Sequence, residues 1–100
     1  MNPAFVEFEV EAYRAGFDEV LERTWAPSTV LDMHQHPFAL KAVVVHGELW
    51  LTVGEGTRHL HVGDTFALDA EVPHAERYGA AGATYWVARR NTRQTPSGLG

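Results

Sequence analysis

The chain contains no cysteine. Disulfides are therefore excluded, and with them thiolate metal sites and cysteine nucleophiles. It also has no run of lysine or arginine: 13 acidic residues outnumber 8 Lys+Arg, and the formal net charge is −5. A phosphate-backbone partner requires a basic patch, so nucleic acid is not an expected ligand. The most basic stretch, Arg89-Arg90-Asn91-Thr92-Arg93, reads as a solvated strand end running into a loose tail. The first residues, Met1 to Glu7, have neither a basic start nor a sustained apolar run. No signal peptide or membrane span is expected, which makes the cytoplasm the default location. Three further signatures are missing: the Gly-x-Ser-x-Gly nucleophile turn, the phosphate-binding glycine loop and the dinucleotide fingerprint.

What remains is the composition of an ordinary globular domain. Hydrophobic residues make up 45% and charged residues 21% of 100 residues. That length suits one domain with a modest core, since a chain of this size buries only about 60–70% of its unfolded surface. The expected domain runs over residues 1–91, and residues 92–100 read as a flexible, polar tail containing Pro96, Gly98 and Gly100.

Residues 3–15 read as a short helix. Pro3 suits a first helical turn and Gly16 its stop. Phe5, Phe8, Ala12 and Ala15 fall at helical spacing and would cover a sheet edge or a barrel mouth, although the alternation over Phe8 to Glu11 also fits a strand. Beyond Gly16, short β-branched and aromatic runs are punctuated by Gly and Pro every 8–12 residues or so, the signature of an all-β sandwich or barrel. Strands are expected near residues 19–25, 29–34, 40–45, 48–53, 58–62, 65–68, 74–78 and 84–89. Gly54-Glu55-Gly56 marks a tight hairpin, and Gly63-Asp64 and Ala80-Ala81-Gly82 mark further turns.

Six histidines in 100 residues is a high count. His34-Gln35-His36 lies at an expected strand end, where residues i and i+2 share a face. A third histidine, His74, follows the turn residues Val72-Pro73. Three neutral imidazoles on one point suit Fe, Zn, Ni or Cu and do not suit Mg or Ca. His59 and His61 repeat the His-x-His pattern after the hairpin but are expected to face outward. His46, just before Gly47, reads as a turn residue.

With these residues in view, the sequence resembles the cupin superfamily over roughly Trp25 to Arg89. The first cupin motif carries two histidines one residue apart, a glutamate four residues on and a glycine seven further. His34, His36 and Gly47 match it, and Leu40 stands at the glutamate position. The second motif runs from a glycine through a proline to a histidine, matched here by Gly63, Pro73 and His74. Asp69 and Glu71 stand where it usually has proline and glycine, and Tyr78 where it usually ends in asparagine. The resemblance implies an all-β fold, the cupin double-stranded β-helix or jelly-roll barrel, with the helix as an N-terminal addition. It also implies one divalent transition-metal ion (Fe, Zn, Ni, Mn or Cu) on His34, His36 and His74.

Leu40 at the glutamate position leaves two readings open: a three-histidine site, as in some dioxygenases of the superfamily, or a decayed site. In the first, the ligand shell is neutral, the ion keeps its full +2 charge, and anionic substrates are favoured. A carboxylate restored at residue 40 would then tighten binding. Leu40, Glu76 and Tyr78 are candidate substrate-pocket residues, the last two by shared parity with His74. Asp32 is a candidate for orienting His34. Phe38, Trp50, Phe66, Tyr85 and Trp86 read as core or interface residues. The expected function is a metal-dependent enzyme of the dioxygenase or lyase/isomerase type acting on a small anionic molecule. The alternative is a non-catalytic sensing module that binds a small molecule. A homodimer is expected, because Val43, Val45, Leu60 and Val62 are apolar residues assigned to an outer sheet that would need cover.

Overall fold

The computed structural model describes residues 3–91, so the tail expected over 92–100 lies outside the described residues. One helix, α1 (Pro3–Arg14), precedes six strands: β1 (Glu19–Trp25), β2 (Val30–His34), β3 (Phe38–Val53), β4 (Gly56–His61), β5 (Thr65–Leu68) and β6 (His74–Asn91). All strand pairings among the described residues are antiparallel. The all-β expectation holds, with one change of architecture. The strands expected at 40–45 and 48–53 are one long strand, β3, and those at 74–78 and 84–89 are one long strand, β6.

β3 and β6 pair along their whole length and form the spine of the fold. The first half of β3 and the last half of β6 are flanked by β5 and β1. The second half of β3 and the first half of β6 are flanked by β4 and β2. Inward side chains from the two halves meet in one core: Ala42, Val44, Phe66, Tyr85 and Val87 from one, Leu49, Leu51, Leu60 and Tyr78 from the other.

The spine bends where its register slips. Val44 pairs with Tyr85 but His46 with Thr84, so Val45 is an extra residue in β3, and Gly47 pairs with Ala83 but Leu49 with Tyr78, so residues 79–82 bulge out of β6. A bulge reverses which residues of a strand face inward. The inward residues of β3 accordingly change from Ala42 and Val44 to Leu49 and Leu51, and those of β6 from His74, Glu76 and Tyr78 to Ala83, Tyr85 and Val87. Gly47 makes this bend possible. Its φ is +73°, and a Cβ placed there would lie 2.0 Å from the Gly82 carbonyl oxygen.

The helix lies on the outside of the first half, where Phe5 and Phe8 pack on Trp86 with ring centroids 5.3 and 6.0 Å apart. It stops at Gly16, and the Arg90 guanidinium donates 2.9 Å to the Ala15 carbonyl just beyond its last turn. One placement corrects the sequence reading. Leu60 is 1% exposed and belongs to the core, so it is not an outer-surface residue. Val62 lies past the end of β4 and is 63% exposed.

Candidate metal centre

His34 ends β2 and His74 opens β6, and the register pairs them directly across the ladder. Their rings are 4.3 Å apart, centroid to centroid. His36 lies past the end of β2, in the connection to β3, so the strand alternation alone does not aim it. Its position is set from the facing loop. The Glu71 amide donates 2.7 Å to the His36 carbonyl, and the Gln35 side-chain amide donates 2.7 Å to the Glu71 carboxylate. Glu71 has φ +64°, which accounts for the glycine expected at that position from the motif. The His36 ring also stacks on Phe38 at 4.8 Å, 8° from parallel. One ligand atom from each of His34, His36 and His74 can be chosen so that all lie within 4.8 Å of one another.

The backbone fixes which nitrogens are available. His34 Nδ1 lies 2.7 Å from the Asp32 carbonyl, and His74 Nδ1 lies 2.9 Å from the Val72 carbonyl. A carbonyl only accepts, so each Nδ1 carries the proton and the neutral ring presents a bare Nε2. That is the outer support that metal-binding imidazoles commonly have. Asp32 therefore orients His34, through its main chain and not through its carboxylate. Burial is the largest of the causes that lower the His36 pKa, followed by the charges that His74 and His34 would carry; Glu76 opposes them. His36 consequently remains a neutral donor at lower pH than free histidine.

Glu76 stands directly at this cluster. It is 8% exposed, and its Oε2 lies 3.4 Å from His34 Nε2 and 3.5 Å from His74 Nε2. Its other oxygen accepts a hydrogen bond from the Tyr78 hydroxyl. Tyr78 is buried behind Glu76, stacked on Trp25 at 5.6 Å. Burial raises the pKa of the Tyr78 phenol well above its ordinary value, and its neighbours Tyr85 and Glu76 add to the rise, so it serves as a neutral donor. Glu76, named from the sequence as a candidate pocket residue by its parity with His74, thus stands beside the cluster.

The cluster opens into a cavity of about 520 Å³. Its walls include His34, His36, Leu40, Glu76, Phe38, Leu31, Tyr85, Val87, Arg23 and Arg89. Of the candidate pocket residues, Leu40 and Glu76 are on the wall, and Tyr78 is not. Two arginines stand on that wall: Arg23 was not singled out from the sequence, and Arg89, read there as part of a solvated strand end, faces the cavity instead. Arg89 lies over the Phe38 ring at 4.6 Å and approaches Glu19 at 3.5 Å, and its Nε is buried with no hydrogen-bond partner among the described residues. The signal was there: Arg89 follows Tyr85 and Val87 at alternate positions of one strand, so all three share a face. His59 and His61 are remote from this set. They are exposed, with His59 bonded to Glu48 at 2.7 Å and stacked on Trp50, and His61 paired with Asp64. His46 is exposed, within β3 at the bend.

The described residues have the cupin fold. No family model matches the chain, and no curated protein matches its sequence. Solved structures do match. KdgF from Halomonas sp. superposes with a TM-score of 0.66 at 18% identity, over 75% of this chain and 69% of that one. An RmlC-like cupin from Shewanella frigidimarina superposes with a TM-score of 0.62 at 19% identity, over 74% and 67%. The DMSP lyase DddQ from Ruegeria pomeroyi superposes with a TM-score of 0.68 at 23% identity, over 76% of this chain but only 39% of that one. Among the described residues no helix is long and apolar enough to cross a membrane.

Proposed function

We propose that this chain is a metal-dependent enzyme that binds one divalent transition-metal ion on His34, His36 and His74. Its substrate is a small anion, a carboxylate in the simplest case, seated in the adjoining cavity, and its reaction is of the lyase/isomerase or dioxygenase type. The observation that carries the reading is the convergence of three imidazoles, two of them with Nδ1 tied to a carbonyl and Nε2 left bare. The three-imidazole donor set fits Fe, Zn, Ni or Cu, because imidazole suits these ions better than it suits Mg or Ca; Mn is added only by the resemblance to the cupins. A bound ion would supply Lewis acidity and open positions for substrate or water.

The chain's own residues would do the rest. Arg89 carries a buried guanidinium nitrogen that no described protein group satisfies, and an anion in the cavity would satisfy it. Arg23 stands on the same wall, held over Trp25 at 4.8 Å. Leu31, Leu40, Phe38 and Val87 make much of the remaining wall apolar, which strengthens charge pairing beside them, and Asp32 also lines it. A neighbour of the same fold is named as a lyase, which supports that reaction class for this site.

The test is elemental analysis of protein purified without added metal or chelator. About one transition-metal ion per chain is expected. His36→Ala and His74→Ala should remove most of it, and His59→Ala and His61→Ala should leave it in place. Loss of the ion from the His59 and His61 variants, with retention in the other two, would overturn the assignment. Tight binding of small anions with no turnover would overturn the catalytic half and leave a sensing module.

A further inference from the structure

We propose that Glu76 is the fourth protein ligand of the metal centre, supplying from β6 the carboxylate that residue 40 does not carry. This rests on the three-histidine reading above and adds a ligand to it. The first argument is electrostatic. With Nδ1 of His34 and His74 bonded to carbonyls, each neutral ring turns a lone pair toward Glu76 Oε2. Three electron-rich atoms from a buried carboxylate and two imidazoles thus converge. Among the described residues no Lys or Arg is paired with Glu76. Buried charges are paired or coordinate metals, and a cation between these atoms resolves the arrangement.

The second argument is geometric. Four ligand atoms about 2.1 Å from an ion in a tetrahedral arrangement stand about 3.4 Å from one another. Oε2 of Glu76 is 3.4 and 3.5 Å from the two Nε2 atoms, the spacing of neighbours in one coordination shell. A direct hydrogen bond would bring such atoms to about 2.7–2.9 Å. The third argument is orientation. Tyr78 donates to Oε1, which holds the carboxylate plane and leaves Oε2 as the single free donor. Tyr78 is a positioning residue in this scheme, acting through Glu76.

The experiment is a double-mutant cycle read by cobalt(II) binding, with visible absorption reporting ligand number and a chelator competition reporting affinity. The variants are Glu76→Gln, Leu40→Glu and the pair together, with circular dichroism confirming that each is folded. Residue 40 lines the same cavity and offers a second place for a carboxylate. If Glu76 is a ligand, Glu76→Gln weakens cobalt binding by about tenfold or more and alters the absorption bands. Leu40→Glu then restores much of that loss in the Gln background and changes the wild type by less than about threefold, because the two carboxylates compete for one role. Equal tightening by Leu40→Glu in both backgrounds, or an unchanged spectrum in Glu76→Gln, would overturn the ligand assignment while leaving the histidine centre standing. No cobalt uptake by the wild type, or uptake undiminished in His74→Ala, would overturn the centre itself. A crystal structure of the zinc-loaded wild type reads the same point with no substitution. Oε2 at about 2.0–2.2 Å from the ion supports the proposal, and a distance beyond about 3 Å refutes it.

Discussion

Replacing Gly47 with alanine tests the bend on which the whole spine depends. Two costs add at this position. The first is conformational: φ is +73°, and an L-residue in the left-handed region costs about 1–2 kcal/mol. The second is steric. The new Cβ would fall 2.0 Å from the Gly82 oxygen and 2.9 Å from both Gly82 C and Ala83 Cα. All three are backbone atoms of the paired strand, so no side chain can swing aside, and forced backbone shifts cost about 1–3 kcal/mol. The expected loss is about 2–5 kcal/mol, against a total of about 5–15 for a domain of this kind. Gly54→Ala is the matched control, with φ +61° and no atom within 4 Å of the added Cβ. It should incur the conformational cost alone. Urea unfolding of both variants gives the difference directly, and thermal melts should separate them by about 4–8 °C per kcal/mol. Equal losses in the two variants would refute the claim that close approach of β3 and β6 requires glycine at residue 47.

Two other outcomes are expected. For pH, burial holds the His36 pKa below its free value near 6.5, so the fold disfavours its protonation. The unfolded chain then binds more protons over that interval. The stability His36 contributes to the metal-free protein is thus complete above about pH 6.5 and is lost as pH falls toward the lowered folded value. His36→Gln should flatten this part of the stability curve, and superimposable curves between about pH 5 and 7.5 would refute it. For assembly, Val62 and Val53 remain exposed around the β3–β4 hairpin, and Val10 and Tyr13 on the helix. We expect a homodimer that covers part of this surface, and a monomer mass by light scattering at micromolar concentration would count against it.

The sequence made the strand content, the helix and the three histidines legible, because each rests on local signals: alternation, turn residues and motif spacing. The joining of the strands was not legible. Gly47 and Ala80-Ala81-Gly82 read as turns that end strands, whereas here they bend two strands without ending them. The reversal of facing across the bulge also hides the continuity. Ala42 and Val44 alternate on even numbers and Leu49 and Leu51 on odd, so the run has no single period. Glu76 was placed on the inward face by parity with His74, but its approach to His34 depends on the pairing of β2 with β6, a contact between residues far apart in sequence. Leu60 was counted among the outer apolar residues although its place between the outward-facing His59 and His61 already put it on the other face of the strand.

The placement of Glu76 changes how the cavity would select its ligand. A shell of three neutral imidazoles leaves a divalent ion at +2, and the ion itself would then be the main attraction for an anion. With the Glu76 carboxylate in the shell, the centre carries +1 and attracts an anion less. Selectivity then passes to groups on the wall that keep their charge whatever the metal does. Arg89 and Arg23 are the basic groups on that wall. Arg89 is also the side chain with a buried, unpartnered nitrogen, so its demand for an acceptor is built into the apolar wall beside Phe38 and Val87. With Glu76 in the shell as proposed, the carboxylate at the centre and the arginines on the cavity wall would divide two tasks that a +2 centre would combine: one would set the charge of the ion, and the other the sign and position of what binds beside it.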